Sequence, residues 1–332
     1  MKIVVDDKIP YIREALAATG AEVLYKNGSD ICRDDVIDAD ALIVRTRTRC
    51  DKHLLHHTAV RFVATATIGF DHIDAEYMKD AGIWWTSCPG CNAGSVAQYV
   101  ESCLLLLWRE HGMIPQQQTI GIVGCGHVGG KVRAVAERLG MRVLVNDPLL
   151  GNPDFVTLDE IEREADIITF HVPMTKEGEY ATWHLADSGF FGRLKRKPVI
   201  INTSRGAVVD NDALLCAIDN GQVRQAIVDT WENEPNINLS LLNKVYIGTP
   251  HIAGYSADGK VNADNMVMKA LCDFFSLPCP ETIMPPQLPD DFVYDGDPLQ
   301  LYNPKDDSKR LKNNPEQFEE LRGNYPLRRE KC

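Results

Sequence analysis

Three polar side chains, Arg205, Glu234 and His251, come shortly after apolar runs that read as β-strands. Arg205 lies in Asn202-Thr203-Ser204-Arg205-Gly206, after the run 199–202. Glu234 lies in Thr230-Trp231-Glu232-Asn233-Glu234-Pro235, after 226–229, and His251 in Gly248-Thr249-Pro250-His251, after 245–247. In open α/β sheets ligands bind beyond the C-terminal strand ends, so all three can reach one crevice. A guanidinium fork grips a carboxylate through two parallel hydrogen bonds and polarises a neighbouring oxygen. An imidazole exchanges a proton near neutral pH, and a carboxylate on its second ring nitrogen fixes the tautomer and favours the imidazolium. Together they suit removal of a hydroxyl proton while hydride leaves the same carbon of a 2-hydroxy acid. Taken singly, each has a plainer explanation as a solvated charge or a turn.

A hydride needs an acceptor, and the sequence supplies a place for one. Gly124-Cys125-Gly126-His127-Val128-Gly129 follows the predicted strand 120–123 and opens a helix to about residue 139. With this strand–helix context, a G-x-G-x-x-G run is a dinucleotide fingerprint. The first glycine makes the tight turn, the second admits the pyrophosphate, the third lets helix and strand pack, and the helix N-terminus meets the phosphates. Asp147, 18 residues past Gly129, closes the next strand. A carboxylate there accepts ribose hydroxyls and repels a 2′-phosphate, which predicts NAD rather than its phosphorylated form.

The elements that must hold these residues alternate between strand and helix. Residues 2–5, 41–45, 62–65 and 83–85 read as strands, with helices over 11–18 and 73–81. A long apolar helix is predicted over 94–110 as core packing. Strands follow at 119–123, 143–146, 167–170, 199–202, 225–229 and 245–247, and a helix over 257–275 returns to the first part. Such alternation predicts parallel sheets covered on both faces. From Pro278 prolines interrupt regular structure, 290–307 is acidic and 309–329 basic, with one possible short helix at 315–322. This tail reads as an oligomer contact or a partly mobile extension.

Bulk properties limit the alternatives. The chain has 332 residues, 44% hydrophobic and 25% charged, enough for two soluble domains. A net charge of −12 argues against nucleic acid, whose phosphates need a basic surface. No run is long enough to span a membrane. The N-terminus reads as a strand rather than a signal peptide, so the ten scattered cysteines predict reduced thiols in the cytoplasm. Cys88-Pro89-Gly90-Cys91 offers only one ligand pair, which predicts a tight turn and no metal. Arg45, Arg47 and Arg49 alternate at a predicted strand end and project to one face. They are either a solvated edge or, for Arg45 in particular, a phosphate contact.

With residues 124–129, Ser204-Arg205-Gly206-Ala207-Val208-Val209-Asp210, 231–235 and Thr249-Pro250-His251 in this order, the chain resembles the D-isomer-specific 2-hydroxyacid dehydrogenase family over nearly all of 1–280. That resemblance implies an α/β fold, a Rossmann-type NAD domain (95–256) inserted into a flavodoxin-like substrate domain (1–94 and 257–280), with the active site in the cleft. It implies a C-terminal tail (281–332) acting as a shortened dimerisation region, hence a homodimer. Residues 65–72, 89–93, 251–256 and 316–322, with Tyr325, Arg328 and Arg329, resemble the branch of the family acting on a phosphorylated 2-hydroxy acid.

By the same resemblance Arg205, Glu234 and His251 are catalytic. Gly124, Gly126, His127, Val128, Gly129, Asp147, Val172, Thr203, Ser204, Arg205, Asp229 and Gly254 line the NAD site, and Thr46, Thr67 and Tyr255 join Arg45 at the substrate. Val172 departs from the small polar residue usual there and can contribute only backbone or apolar surface. Two other readings stay open: a dehydrogenase for another acid such as glycerate or 3-phosphoglycerate, and an NAD-sensing corepressor-like binding protein of the same fold. The phenol of Tyr255 weighs against the former by reshaping the pocket.

Overall fold

Runs of four or five β-branched and aliphatic residues form strands whose successive side chains enter opposite cores. In the computed structural model, which describes residues 1–330, Met1–Asn92 together with Ser256–Asp290 forms one unit. Its elements run β1 (Lys2–Asp6), α1 (Arg13–Ala17), β2 (Glu22–Lys26), α2 (Arg33–Val36), β3 (Ala41–Val44), α3 (Lys52–Leu55), β4 (Phe62–Thr65), α4 (Ala75–Ala81) and β5 (Trp84–Thr86). All pairs are parallel, in the order β2-β1-β3-β4-β5, the flavodoxin-like order. Ile3, Val5, Ile43 and Phe62 face one core, while Val4, Leu42, Val44 and Val63 face the other. Strand β2 was not predicted, because Glu22-Val23-Leu24-Tyr25-Lys26 is a half-exposed edge strand without a buried run.

The second unit comprises Ala93–Tyr255 and the residues from Asp291 onward. It begins with α5 (Ala93–His111), β6 (Thr119–Val123), α6 (His127–Arg138), β7 (Arg142–Asn146), α7 (Leu158–Glu164) and β8 (Ile167–Phe170). It continues through α8 (Ser188–Arg193), β9 (Val199–Asn202), α9 (Asn211–Asp219), β10 (Gln225–Val228), α10 (Leu239–Lys244) and β11 (Ile247–Gly248). The parallel sheet has the order β7-β6-β8-β9-β10-β11. The chain leaves β6 to one side for β7 and returns to the other for β8, so the topological switch point falls at the C-terminal end of β6, where the glycine fingerprint lies. The helix α11 (Ala257–Phe275) belongs to the first unit, packing Val267 and Leu271 into its core.

The tail carries the short helix expected at 315–322, as a 3-10 turn (Pro315–Gln317) leading into a helix, and holds more regular structure than its prolines suggest. It folds into α12 (Pro298–Leu301), α13 (Pro304–Asn313) and α14 (Phe318–Gly323) on the second unit. Leu311 and Phe318 are fully buried among Val228, Trp231, Leu241 and Val245. The Ser308 hydroxyl accepts the Gly248 N–H at 3.0 Å and Lys312 Nζ donates to the Val245 carbonyl at 2.6 Å. Helix α13 therefore covers edge strand β11, satisfying groups a bare edge would leave open. Among the described residues no helix is long and apolar enough to cross a membrane.

Candidate active site

The glycine loop separates what the chain needs from what a ligand needs. Gly124 has φ +89°, and a Cβ there would come within 2.7 Å of the His171 carbonyl oxygen and of Val172 Cγ1. A Cβ on Gly129 would overlap the Gly124 carbonyl. Both glycines are therefore required by packing. A Cβ on Gly126 would meet no protein atom within 4 Å. Its bareness has no use inside the chain, but it opens the backbone at the N-terminus of α6 to a pyrophosphate. His127 is exposed and Val128 half-buried in the same first turn. Asp147 closes β7 and accepts the Cys125 N–H at 2.8 Å, tying the strand end to the loop. Val172 offers the loop only its methyl surface. This donor set fits NAD.

The loop carrying His251 is held from beneath. Asp229, 1% exposed, accepts the Thr249 hydroxyl at 2.6 Å, the Ile252 N–H at 2.8 Å and the Ala253 N–H at 3.0 Å. Tyr99 donates to Thr249 in turn at 2.8 Å, and Trp231 Nε1 donates to the Thr249 carbonyl at 2.9 Å. Burial pushes the Asp229 carboxyl up, against the pull of His251 and its hydrogen bonds. This scaffold holds His251 at φ +58°, a left-handed conformation that costs a non-glycine residue about 1–2 kcal/mol. Asp229 thus has a structural task besides the cofactor contact that the resemblance implies.

Glu234 and His251 form the expected pair. His251 Nδ1 lies 2.8 Å from Glu234 Oε2, and the other oxygen accepts the Trp231 N–H at 2.9 Å. A carboxylate only accepts, so Nδ1 carries the proton and Nε2 keeps its lone pair for a substrate hydroxyl. Burial raises the Glu234 carboxyl, but His251, the Trp231 N–H and Arg322 outweigh it and leave the group below the ordinary glutamate value. Arg205 follows β9, with Nη1 on the Ser204 carbonyl at 2.9 Å, while Asn202 Nδ2 holds the Arg205 carbonyl at 3.0 Å. Thr203 and Ser204 are buried beside it. A Cβ on Gly206 would overlap the Trp231 carbonyl, so this glycine brings the Arg205 loop against the loop leading to Glu234.

Two arginines of the tail, in the segment expected to form a dimerisation region, pack against these residues. Arg322 of α14 brings Nη1 to 3.6 Å from Glu234 Oε2, and its guanidinium hydrogen-bonds with the Tyr255 side chain. Its Nε is buried without a partner among the described residues. Arg328 donates to the carbonyls of Ile252 (3.1 Å), Ala253 (2.6 Å) and Tyr255 (2.9 Å), to Gln98 Oε1 (3.0 Å) and to Ser95 Oγ (3.2 Å). It also stacks 3.9 Å above the Tyr302 ring. Gly254 and Tyr255 thus occupy a segment clamped by Asp229 on one side and by Arg328 on the other.

The remaining predicted residues lie in the first unit. The strand before Arg45 ends at Val44, and 46–48 turn away, so the three arginines do not alternate along a strand. Arg45 Nε pairs with the buried Asp6 carboxylate at 3.2 Å, Arg49 pairs with Asp51 at 2.9 Å, and Thr46 is exposed. Thr67 bonds to Thr65 Oγ1 at 2.7 Å and donates to the Gly69 carbonyl at 2.9 Å. Cys88 and Cys91 form a turn, with Cys91 N–H donating to the Cys88 carbonyl at 3.2 Å. The Cys88 thiol lies 3.4 Å from both the Thr65 and Ala263 carbonyls, and burial pushes it up.

This constellation, on a sheet with a dinucleotide switch point, defines an NAD-dependent dehydrogenase, and the chain belongs to the D-isomer specific 2-hydroxyacid dehydrogenase family, whose NAD binding domain matches residues 106–253. It is 55% identical to the erythronate-4-phosphate dehydrogenase of Bacteroides thetaiotaomicron, over 99% of this chain and 97% of that one. Among solved structures it is similar to the D-lactate dehydrogenase of Aquifex aeolicus complexed with NAD and lactic acid (TM-score 0.69, 26% identity, covering 83% of this chain and 96% of that one). It is likewise similar to the NAD+-bound 3-phosphoglycerate dehydrogenase of Entamoeba histolytica (TM-score 0.71, 27% identity, 83% and 95% covered).

Proposed function

We propose that the chain oxidises 4-phospho-D-erythronate at C2 to 2-oxo-3-hydroxy-4-phosphobutanoate, with NAD as acceptor, as a step of pyridoxal phosphate (vitamin B6) biosynthesis. The observation that carries this reading is the 55% identity to an erythronate-4-phosphate dehydrogenase, which extends over 99% of the chain and so includes the tail. His251 Nε2 takes the C2 hydroxyl proton, and Glu234 stabilises the resulting imidazolium. Arg205 grips the substrate carboxylate through its fork. NAD, when bound, receives the hydride from C2. Gly124, Gly126, His127, Val128, Gly129, Asp147, Val172, Thr203, Ser204, Asp229 and Gly254 form its site in this reading, and Arg45, Thr46, Thr67 and Tyr255 bind substrate. The enzyme is a cytoplasmic homodimer, a state that light scattering checks.

The test is turnover of 4-phosphoerythronate with NAD and a set of 2-keto acid acceptors, with unphosphorylated erythronate and 3-phosphoglycerate run in parallel. Selective turnover of 4-phosphoerythronate supports the reading. Preference for either of the other acids keeps the mechanism and removes the pathway. Absence of turnover with all three, alongside tight NADH binding, refutes the proposed activity. His251→Ala is expected to lower kcat by about 10²–10⁴-fold while NAD binding persists.

A further inference from the structure

Glu234 Oε2 is shared by two side chains. His251 Nδ1 lies on it at 2.8 Å from the β11 side, and Arg322 Nη1 approaches to 3.6 Å from α14. The three side chains are 27%, 25% and 17% exposed for His251, Arg322 and Glu234, so solvent screens them only in part. The charged and titratable groups facing this pair are Asp229 below the loop, Tyr255 on the loop itself, and Arg322 and Glu319 from α14. Arg205 stands on the neighbouring loop, its Nη1 turned to the Ser204 carbonyl. With its Nε unpartnered, Arg322 depends on Glu234 and Tyr255 for its position.

We propose that Arg322 is a positioning residue for proton transfer: it shares the carboxylate oxygen that holds His251, and so keeps Glu234 from over-stabilising the imidazolium at neutral pH. An imidazole paired with a free carboxylate holds its proton more tightly. For oxidation that is unwelcome, since His251 must be neutral before it can take the hydroxyl proton. A guanidinium on the same oxygen divides the carboxylate's field between two cations and adds like-charge repulsion to the imidazolium. The tail thereby sets the pH range of the reaction, while the Arg205, Glu234 and His251 roles are unchanged. The inference rests on His251 as the proton acceptor of the proposed reaction.

The experiment reads the His251 Cε1–Hε1 titration midpoint by NMR, with His251→Asn used to assign the signal, and the acidic limb of kcat/KM for 4-phosphoerythronate. Arg322→Gln is expected to move both upward by about half a unit or more, lowering kcat/KM below the limb about threefold. Arg322→Lys, which retains the charge, is expected to bring both most of the way back. An unmoved midpoint in Arg322→Gln overturns the proposal whatever the activity, because a purely structural residue lowers rate without moving a titration. A moved midpoint in a protein that turns over none of the acids supports the coupling and refutes only the substrate reading. Should Arg322→Gln not fold, Glu319→Gln removes a carboxylate acting on Arg322 and is expected to move the midpoint downward; no movement there also overturns the proposal.

Discussion

Arg328→Met should unclamp the loop carrying His251, at a cost set by the hydrogen bonds it removes. The methionine keeps most of the buried volume, so the lost hydrogen bonds dominate. The Ile252 carbonyl retains the Tyr255 N–H at 2.9 Å, and the Ala253 carbonyl retains the Ser95 hydroxyl at 2.9 Å. Gln98 Oε1 and the Tyr255 carbonyl lose the arginine that serves each, at 3.0 and 2.9 Å. Gln98 is buried, and an unsatisfied buried acceptor costs about 1–3 kcal/mol, whereas the Tyr255 carbonyl is only part-buried and costs less. Relief from burying the guanidinium offsets part of this, leaving about 1–2 kcal/mol. Burial works against the charge of Arg328, but Tyr302, Tyr325 and Asp307 outweigh it and hold the group above the ordinary guanidinium value.

In a unit of about 200 residues each kcal/mol lowers Tm by about 2–4 °C, so a fall of about 2–8 °C is expected by differential scanning calorimetry. Activity should fall further than stability. Residues 252–255 set the position of His251, and a displacement of about 1 Å at a reacting group costs on the order of 10²-fold in rate. Steady-state kinetics at 20 °C, where the variant remains folded, isolate this part. A variant with Tm within about 1 °C and kcat within about twofold of the parent would refute the clamp.

Three further outcomes follow from the geometry. Gly126→Ala should fold normally and weaken NAD binding, measured by NADH fluorescence titration, because the new methyl faces no protein atom; Gly129→Ala should lose the fold around α6, because its Cβ overlaps the Gly124 carbonyl. Glu234→Gln should shift the acidic limb of kcat/KM to lower pH by removing the charge that favours the imidazolium, and circular dichroism should show an unchanged fold. Asp264, buried in α11 and accepting the Tyr11 N–H at 3.1 Å, is pushed by burial to about 7. A carboxyl raised in the folded state favours folding fully only below its unfolded value, near 4, and that contribution is lost as pH climbs to about 7. Asp264→Asn should flatten this fall, worth about 3 kcal/mol between pH 5 and pH 8, in urea titrations compared at those two values.

The dinucleotide loop and the His251–Glu234 pair were legible because their signals are local. Glycines at fixed offsets after an apolar strand, and polar residues just past strand ends, carry their meaning within a few positions. Strand β2 escaped because an edge strand has neither a buried run nor strong alternation. The alternating Arg45–Arg49 stretch predicts a strand end, but Thr48 turns inward and donates to the Gly28 carbonyl at 2.7 Å, 20 positions away, which ends the regular alternation. The task of Asp229 was only half visible. As a residue at a strand end it suits a cofactor contact, yet its oxygens are bound to amides and a hydroxyl 20–24 positions onward.

The tail divides along the same line. Its helices left local signals, with Asp297 before Pro298 and Asn303 before Pro304, each a side-chain cap followed by a proline at the first helical position. Those pairs would have located α12 and α13 despite the polar composition. What Arg322 and Arg328 do is written nowhere near them. The partners of Arg328 lie 73–76 positions upstream on the loop after His251 and 230–233 positions upstream on α5. A Cβ on Gly94 would overlap the Glu330 carboxylate, so even the start of α5 is shaped to let the tail pass. A basic, proline-rich segment has the composition of a solvated arm, and only the fold shows that its charges turn inward. The same physics makes the arrangement testable. A buried guanidinium is tolerated only where acceptors surround it, and the carbonyls of Ile252, Ala253 and Tyr255 with Gln98 and Ser95 supply them for Arg328.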